Sequence, residues 1–230
     1  MPQMCGRSIL KTLPQSIIEA IADITPPLPD WSAQYNIAPT NDIPIIRLNK
    51  DGQRVVSLVR WGLIPSWAKD PSIGNRMINA RGETLAEKPA FRVALARRRC
   101  LIPSDGFYEW KAEGKAKQPF FIHPTDGRPF CFGGLWERWT DPAAEAIIDS
   151  ATIITVSPNS AVKEIHDRMP LIIAPADYGR WLSEETPADE VQSLLQPYAG
   201  DLESWPVSTR VNSPANKGPQ CAEELRDGAK

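Results

Sequence analysis

Cys5 stands directly after Met4 and before Gly6-Arg7, and a cysteine in that place can become the first residue of a mature chain. Its α-amine and its thiol would then share one carbon, as a 1,2-aminothiol. Reference pKa values of about 8 for the amine and about 8.5 for the thiol give both an accessible nucleophilic form near neutral pH. Such a pair takes up an aldehyde as an imine and closes it into a five-membered thiazolidine ring. An internal cysteine cannot, because its nitrogen is held in a peptide bond. The alternative is a small buried residue on a first strand, the usual fate of a free cysteine.

Two residues could move protons. Glu109 lies in Phe107-Tyr108-Glu109-Trp110-Lys111. Strand alternation puts Phe107, Glu109 and Lys111 on one face and Tyr108 and Trp110 on the other. A carboxylate buried among aromatics has its pKa raised, which suits a proton donor working near neutral pH. An exposed one would simply pair with a lysine across the strands. His166 lies in Glu164-Ile165-His166-Asp167-Arg168-Met169-Pro170, at the edge of a loop that feeds an apolar stretch. Loop edges carry catalytic groups, and they also carry histidines with purely structural duties. His123, before a proline turn, reads as structural, and Cys131 reads as core.

The positioning elements follow from periodicity. Ile17, Ile18, Ile21 and Ile24 repeat at helical spacing after Pro14, which predicts a helix over 14–23 ended by the prolines at 26, 27 and 29. Two β-rich runs, 43–48 and 54–60, flank Asn49-Lys50-Asp51-Gly52 and predict a hairpin. Trp61 and Trp67 bracket a loop broken by Gly62 and Pro65. Each is either a core plug or a platform on which a base could stack. Asn79 and Arg81 fall at a strand end, and a helix is expected from Pro89 to Ala96. Strands are predicted at 100–103, 107–111, 118–123, 129–136 and 151–156, with 141–150 a polar excursion. Helices are expected over 175–182 and 186–195, and Trp205-Pro206 suits an edge strand, which tolerates proline. The order predicts an α+β single domain, mainly antiparallel sheet closing toward a barrel with helices around it.

Composition narrows the classes. The 230 residues suit one large domain or two small ones. No apolar run of about 18 residues exists, so no membrane span is expected, and no secretory leader is expected at the N-terminus. Four scattered cysteines without a C-x-x-C point to a reducing, cytoplasmic setting, and two histidines leave few ligands for a catalytic zinc. No metal or cofactor is expected. A net charge of −2 does not mark a nucleic-acid binder. The distribution says more, because 88–99 holds five basic residues and no acidic one, whereas 171–205 holds seven acidic residues and one arginine. A basic face before an acidic back could bind an anion locally, or could be a solvated helix.

Seven motifs stand in series: Met4-Cys5-Gly6-Arg7, Tyr35-Asn36-Ile37-Ala38-Pro39, Trp61-Gly62-Leu63-Ile64-Pro65-Ser66-Trp67, Asn79-Ala80-Arg81-Gly82-Glu83-Thr84, Arg99-Cys100-Leu101-Ile102-Pro103, Gly106-Phe107-Tyr108-Glu109-Trp110-Lys111 and Ile165-His166-Asp167-Arg168-Met169-Pro170. In this order they closely resemble the SRAP family, the SOS-response-associated peptidases or abasic site processing proteins, from Cys5 to about Val207. The resemblance implies a sensor of abasic sites in single-stranded DNA that crosslinks to the lesion and shields it, associated with the nucleoid when bound. The amine of Cys5 would attack the ring-opened sugar aldehyde and its thiol would close the thiazolidine. Glu109 would act as general acid and base, His166 would assist proton transfer, and Asn79 would orient the cysteine or the sugar. Arg7, Arg81 and Arg168 would hold phosphates, Pro39 and Trp67 would wedge beside the lesion, and Asn36 joins the expected DNA contacts.

Two features depart from the family pattern. Met1-Pro2-Gln3 precedes Met4, so a free Cys5 amine requires initiation at Met4 or cleavage before Cys5. Ala68 follows Trp67 where some members carry another aromatic. Residues 1–4 are thus read as an extension absent from the mature protein, 5–210 as the domain, and 211–230 as a flexible polar tail. A monomer is expected. Two competing readings stay open: a thiol hydrolase using Cys5 and His166 with Glu109 or Asn79, and a non-covalent single-strand binder using the arginines and tryptophans.

Overall fold

A computed structural model describes residues 6–21 and 23–225, with the side chains of 18–20 left aside. Cys5 therefore lies outside the described residues. The elements run β1 (Ser8–Leu10), α1 (Pro14–Ala20), β2 (Gln34–Ile37), β3 (Asp42–Leu48), β4 (Arg54–Trp61), β5 (Asn79–Arg81), α2 (Pro89–Arg97), β6 (Arg99–Ser104), β7 (Gly106–Glu113), β8 (Ala116–Pro124), β9 (Phe130–Thr140), β10 (Ile147–Val156), α3 (Ser160–Lys163), β11 (Met169–Pro170), β12 (Ile172–Ile173), α4 (Tyr178–Leu182), α5 (Ala188–Ser193) and β13 (Leu202–Pro206).

Five strands close on themselves. The order β10-β4-β3-β6-β9 is completed by the β9–β10 pairing, so this barrel has no free edge among its own strands. All its pairings are antiparallel except β4–β10. The expected α+β barrel architecture is therefore present. On one side of β10 the partner changes from β4, at Ser150–Ala151, to β5, at Ile153–Thr155. Between the two the chain leaves at Gly62, whose N–H donates to the Ala151 carbonyl at 2.8 Å. Gly62 has φ +127, and a Cβ there would lie 2.5 Å from the Gly74 carbonyl oxygen. Only glycine meets both conditions. The excursion that results carries Trp67.

A second sheet, β13-β8-β7-β1-β2, is antiparallel throughout. Its residues alternate as a pleated strand requires. Leu10, Phe107 and Ile122 join the main core, while Ile9, Tyr108 and Phe121 pack with Val207, Val211 and Cys221 in a separate cluster. Each such fully buried apolar side chain contributes about 1.5–3 kcal/mol, so both faces of this sheet are held.

Three expectations need correction. The segment from 211 to 225 is not a loose tail: Val211 and Cys221 are buried, each in a short 3-10 turn, and Glu224 bridges to Val207. A few apolar residues spaced among polar ones suffice to cover the outer sheet face, and their sparseness hid it. The excursion at 141–150 is partly strand, because β10 begins at Ile147 and extends the hairpin with β9. Arg138 and Asp149, paired across it at 2.8 Å, made a strand look like a loop. The basic run 88–99 is in part structural. Arg99 is buried, donating to the carbonyls of Leu95, Trp181 and Ser183, and Arg98 is paired with Glu137 at 2.7 Å. Among the described residues no helix is long and apolar enough to cross a membrane.

Candidate functional site

The site is built at the start of β1. β1 lies between β7 and β2, with Ser8 in register with Phe107. The Tyr108 N–H donates to the Arg7 carbonyl at 3.1 Å, which carries Gly6 and Arg7 alongside β7. A cavity of about 260 Å³ opens there, lined by Gly6, Arg7, Glu109, Trp110, Lys117, His166 and Asn212. Three expected site residues, Arg7, Glu109 and His166, thus meet around the residue that follows Cys5. Glu109 is buried, at 2 % exposure, on the same face of β7 as Phe107.

His166 comes from the loop between α3 and β11. Its N–H and that of Ile165 donate to the Val162 carbonyl at 2.9 and 2.8 Å. The Arg168 N–H donates to His166 Nδ1 at 3.1 Å, which leaves the proton of the neutral ring on Nε2. The same Nδ1 stands 2.9 Å from Asp167 Oδ1, a contact that is attractive only when Nδ1 carries a proton. The backbone donor serves the neutral ring and the exposed carboxylate serves the cation. Burial pushes the imidazole below its ordinary pKa. Asp167 opposes that, and the positive charge of Lys117 adds to it.

Arg7 is half-buried. It donates through Nη1 to the Gly6 carbonyl at 2.9 Å and through Nη2 to the Asn212 carbonyl at 3.3 Å. Asn212 also accepts the indole N–H of Trp110 at 2.8 Å. Trp110, Lys117 and Asn212 were not singled out from the sequence. Trp110 was visible in its motif but was assigned to the face opposite Glu109, and Asn212 lay in the segment read as tail.

The other expected residues come from other elements. Asn79 and Arg81 bound β5, in register with Ile153 and Thr155 of β10. Arg168 makes a bidentate pair with Glu83 and donates to the Thr155 carbonyl at 2.7 Å. Pro39 and Trp67 sit in two loops joined through the Trp61 backbone, since Thr40 N–H donates to the Trp61 carbonyl at 2.8 Å. The two tryptophans differ in burial: Trp61 is a fully buried plug and Trp67 is 59 % exposed. Asn36 is not a surface contact. It is buried, and its Nδ2 donates to the carbonyls of Val211, Ser213 and Asn216 at 3.2, 3.0 and 2.9 Å.

Burial acts on all three described thiols. It pushes Cys100 far above the ordinary range, Cys131 up to about 12, and Cys221 upward. None of the three supplies a ready thiolate.

A closed five-stranded barrel with an attached sheet, whose first strand delivers the N-terminal segment to a cavity holding a carboxylate and an imidazole, defines the class of protein. The chain belongs to the SOS response associated peptidase (SRAP) family, whose model matches residues 4–214. It is 45% identical over 224 residues to "Abasic site processing protein YoqW" of Bacillus subtilis (strain 168), across 96% of this chain and 99% of that one. It is 30% identical over 260 residues to "Abasic site processing protein HMCES" of Xenopus tropicalis, across 95% of this chain and 77% of that one. A crystal structure of a protein from Bacteroides thetaiotaomicron matches with a TM-score of 0.84 at 26% identity, across 96% of this chain and all of that one.

Proposed function

We propose that this protein processes abasic sites in single-stranded DNA by covalent capture at Cys5. The observation that carries this reading is that Gly6, the residue after Cys5, lines the same cavity as the buried Glu109 and as His166. The relatives named as abasic site processing proteins support the substrate.

In the proposed reaction the C1′–O4′ bond of the sugar hemiacetal opens, with a proton delivered to O4′, and exposes the aldehyde. The Cys5 amine adds to C1′, water leaves, and an imine remains. The thiol then adds across the C=N bond, its proton passing to nitrogen, and the thiazolidine is closed with a net loss of one water. Glu109 is the proposed proton donor and acceptor for these steps. His166, with its neutral ring favoured by burial and its Nε2–H available, is the proposed partner at the sugar hydroxyl. Asn79 is proposed to orient Cys5 or the sugar. Arg7 and Arg81 are proposed phosphate contacts. Arg168, the third expected contact, already spends both terminal nitrogens on Glu83 and Thr155. The exposed Trp67, beside Pro39, is the proposed stacking platform.

A free Cys5 amine requires loss of residues 1–4. The family match takes in Met4 and leaves residues 1–3 outside it, in keeping with initiation at Met4, whose removal would free the Cys5 amine. Where the longer chain is made, hydrolysis of the bond before Cys5 would consume one water and release the tetrapeptide, a self-processing step.

The test is a denaturing gel with a single-stranded oligonucleotide bearing one abasic site. A band that survives heat and detergent, and that Cys5→Ala abolishes, is expected. A full-yield band with Cys5→Ala overturns the reading. DNA-independent cleavage of peptides in its place would favour the thiol hydrolase.

A further inference from the structure

The Glu83–Arg168 pair is not an ordinary surface ion pair. Arg168 is only 14% exposed at its side chain, whereas Glu83 is 51% exposed. Both guanidinium Nη atoms meet the carboxylate, Nη2 to Oε2 at 2.8 Å, the fork-on-fork geometry that fixes orientation as well as charge. The same Nη2 reaches the Thr155 carbonyl of β10 at 2.7 Å. The anchor sits on a turn that lies close against β10. Glu83 lies in the 3-10 turn Gly82–Thr84 directly after β5, and a Cβ at Gly82 would stand 3.3 Å from Val156 of β10. Arg168 in turn uses its backbone N–H to hold His166 Nδ1.

We infer that Glu83 is a positioning residue for His166, acting through Arg168, an inference that rests on the abasic-site reading above. Glu83 pins the guanidinium to β10, the pinned Arg168 holds its own backbone in place, and that backbone N–H selects the Nε2–H tautomer of the neutral ring. Without the carboxylate a largely buried guanidinium loses its counter-charge and turns toward water. The loop then no longer presents a fixed donor to Nδ1. The charged groups around the imidazole are Asp167 on its own loop, Arg168 beside it, Lys117 from β8, Glu109 from β7, and Arg7 before β1. None of them replaces a backbone donor at Nδ1.

The experiment compares wild type, Glu83→Gln, Glu83→Asp and His166→Ala, with Glu83→Gln also made in the His166→Ala background. Three quantities are read: the crosslinking rate at saturating abasic oligonucleotide across pH, the affinity for an undamaged single strand, and the nitrogen-15 shifts of the His166 ring. Glu83→Gln is expected to slow crosslinking about tenfold, move its pH profile, and leave undamaged-strand affinity within about twofold. Glu83→Asp recovers part of the rate, and Glu83→Gln adds nothing in the His166→Ala background. The ring spectrum is expected to change from the Nε2–H tautomer to a mixture. An unchanged ring spectrum overturns the inference, as does a rate loss matched by lost affinity or one that adds to that of His166→Ala. A wild type that fails to crosslink defeats the proposed function instead, and the ring spectra still decide the positioning of His166.

Discussion

Trp110 and Asn212, 102 residues apart, are joined by a hydrogen bond from the indole Nε1 to the amide oxygen at 2.8 Å. The bond makes the C-terminal segment a wall of the cavity, because Asn212 also accepts from Arg7. The segment is held from below by Asn36, which binds three of its carbonyls. A residue expected on the DNA surface thus shapes the site from inside the fold.

Asn36→Ala should therefore act on both stability and activity. The Nδ2 amide has two protons to share among the three carbonyls, so losing two net hydrogen bonds of roughly 1 kcal/mol each costs about 2 kcal/mol, which lowers Tm by about 4–8 °C in a chain of this size. Thermal unfolding measures the first effect. Crosslinking below the new Tm should also fall, since Asn212 is no longer fixed. An Asn36→Ala protein with unchanged Tm would mean that these bonds do not secure the segment.

The two tryptophans of the 61–67 loop should separate cleanly. Trp61 is fully buried and donates its indole N–H to the Ile78 carbonyl at 2.9 Å, so Trp61→Ala should cost about 3–5 kcal/mol. Trp67→Ala should change stability by less than about 0.5 kcal/mol. Its effect should appear in single-strand affinity, where a lost stacking contact is worth about 1–3 kcal/mol. Denaturant melts and fluorescence anisotropy of both variants give the comparison.

The pH response of crosslinking should follow the charges around His166. Burial lowers its pKa, so the neutral ring persists to more acidic pH than in a free imidazole. Lys117→Gln removes a charge that disfavours the cation, so the pKa rises and the acid limb of the rate profile moves to higher pH. Asp167→Asn removes a charge that favours the cation, so the limb moves to lower pH. Shifts in the same direction for both would contradict this account of the site.

Much of the frame was legible in the sequence. The β3–β4 hairpin followed from its two β-rich runs and from the turn ending at Gly52, which takes φ +76. The face of Glu109 followed from strand alternation. Other features depend on distant parts of the chain and left no local mark. Alternation assigns Trp110 a face of β7 and says nothing of the loop that arrives at 212. Lys117 gained its place opposite Ala112 through a hairpin register set by the turn at Gly114. Glu83 and Arg168, 85 residues apart, are partners because β5 ends and β11 begins beside the same end of β10.

The internal cysteines offer a control for thiol chemistry. Cys100, Cys131 and Cys221 are buried, so a maleimide applied to the native protein should label Cys5 first, and unfolding should expose the other three. Serine at Cys131 should leave crosslinking in place while lowering Tm, since a hydroxyl replaces a thiol that packs in the core.

The most direct measurement is the intact mass of the DNA–protein adduct after denaturation. The account predicts a polypeptide that begins at Cys5 joined to the abasic oligonucleotide, with the mass of one water missing. An adduct of the same oligonucleotide with a chain that still carries Met1 or Pro2 at its start would contradict it.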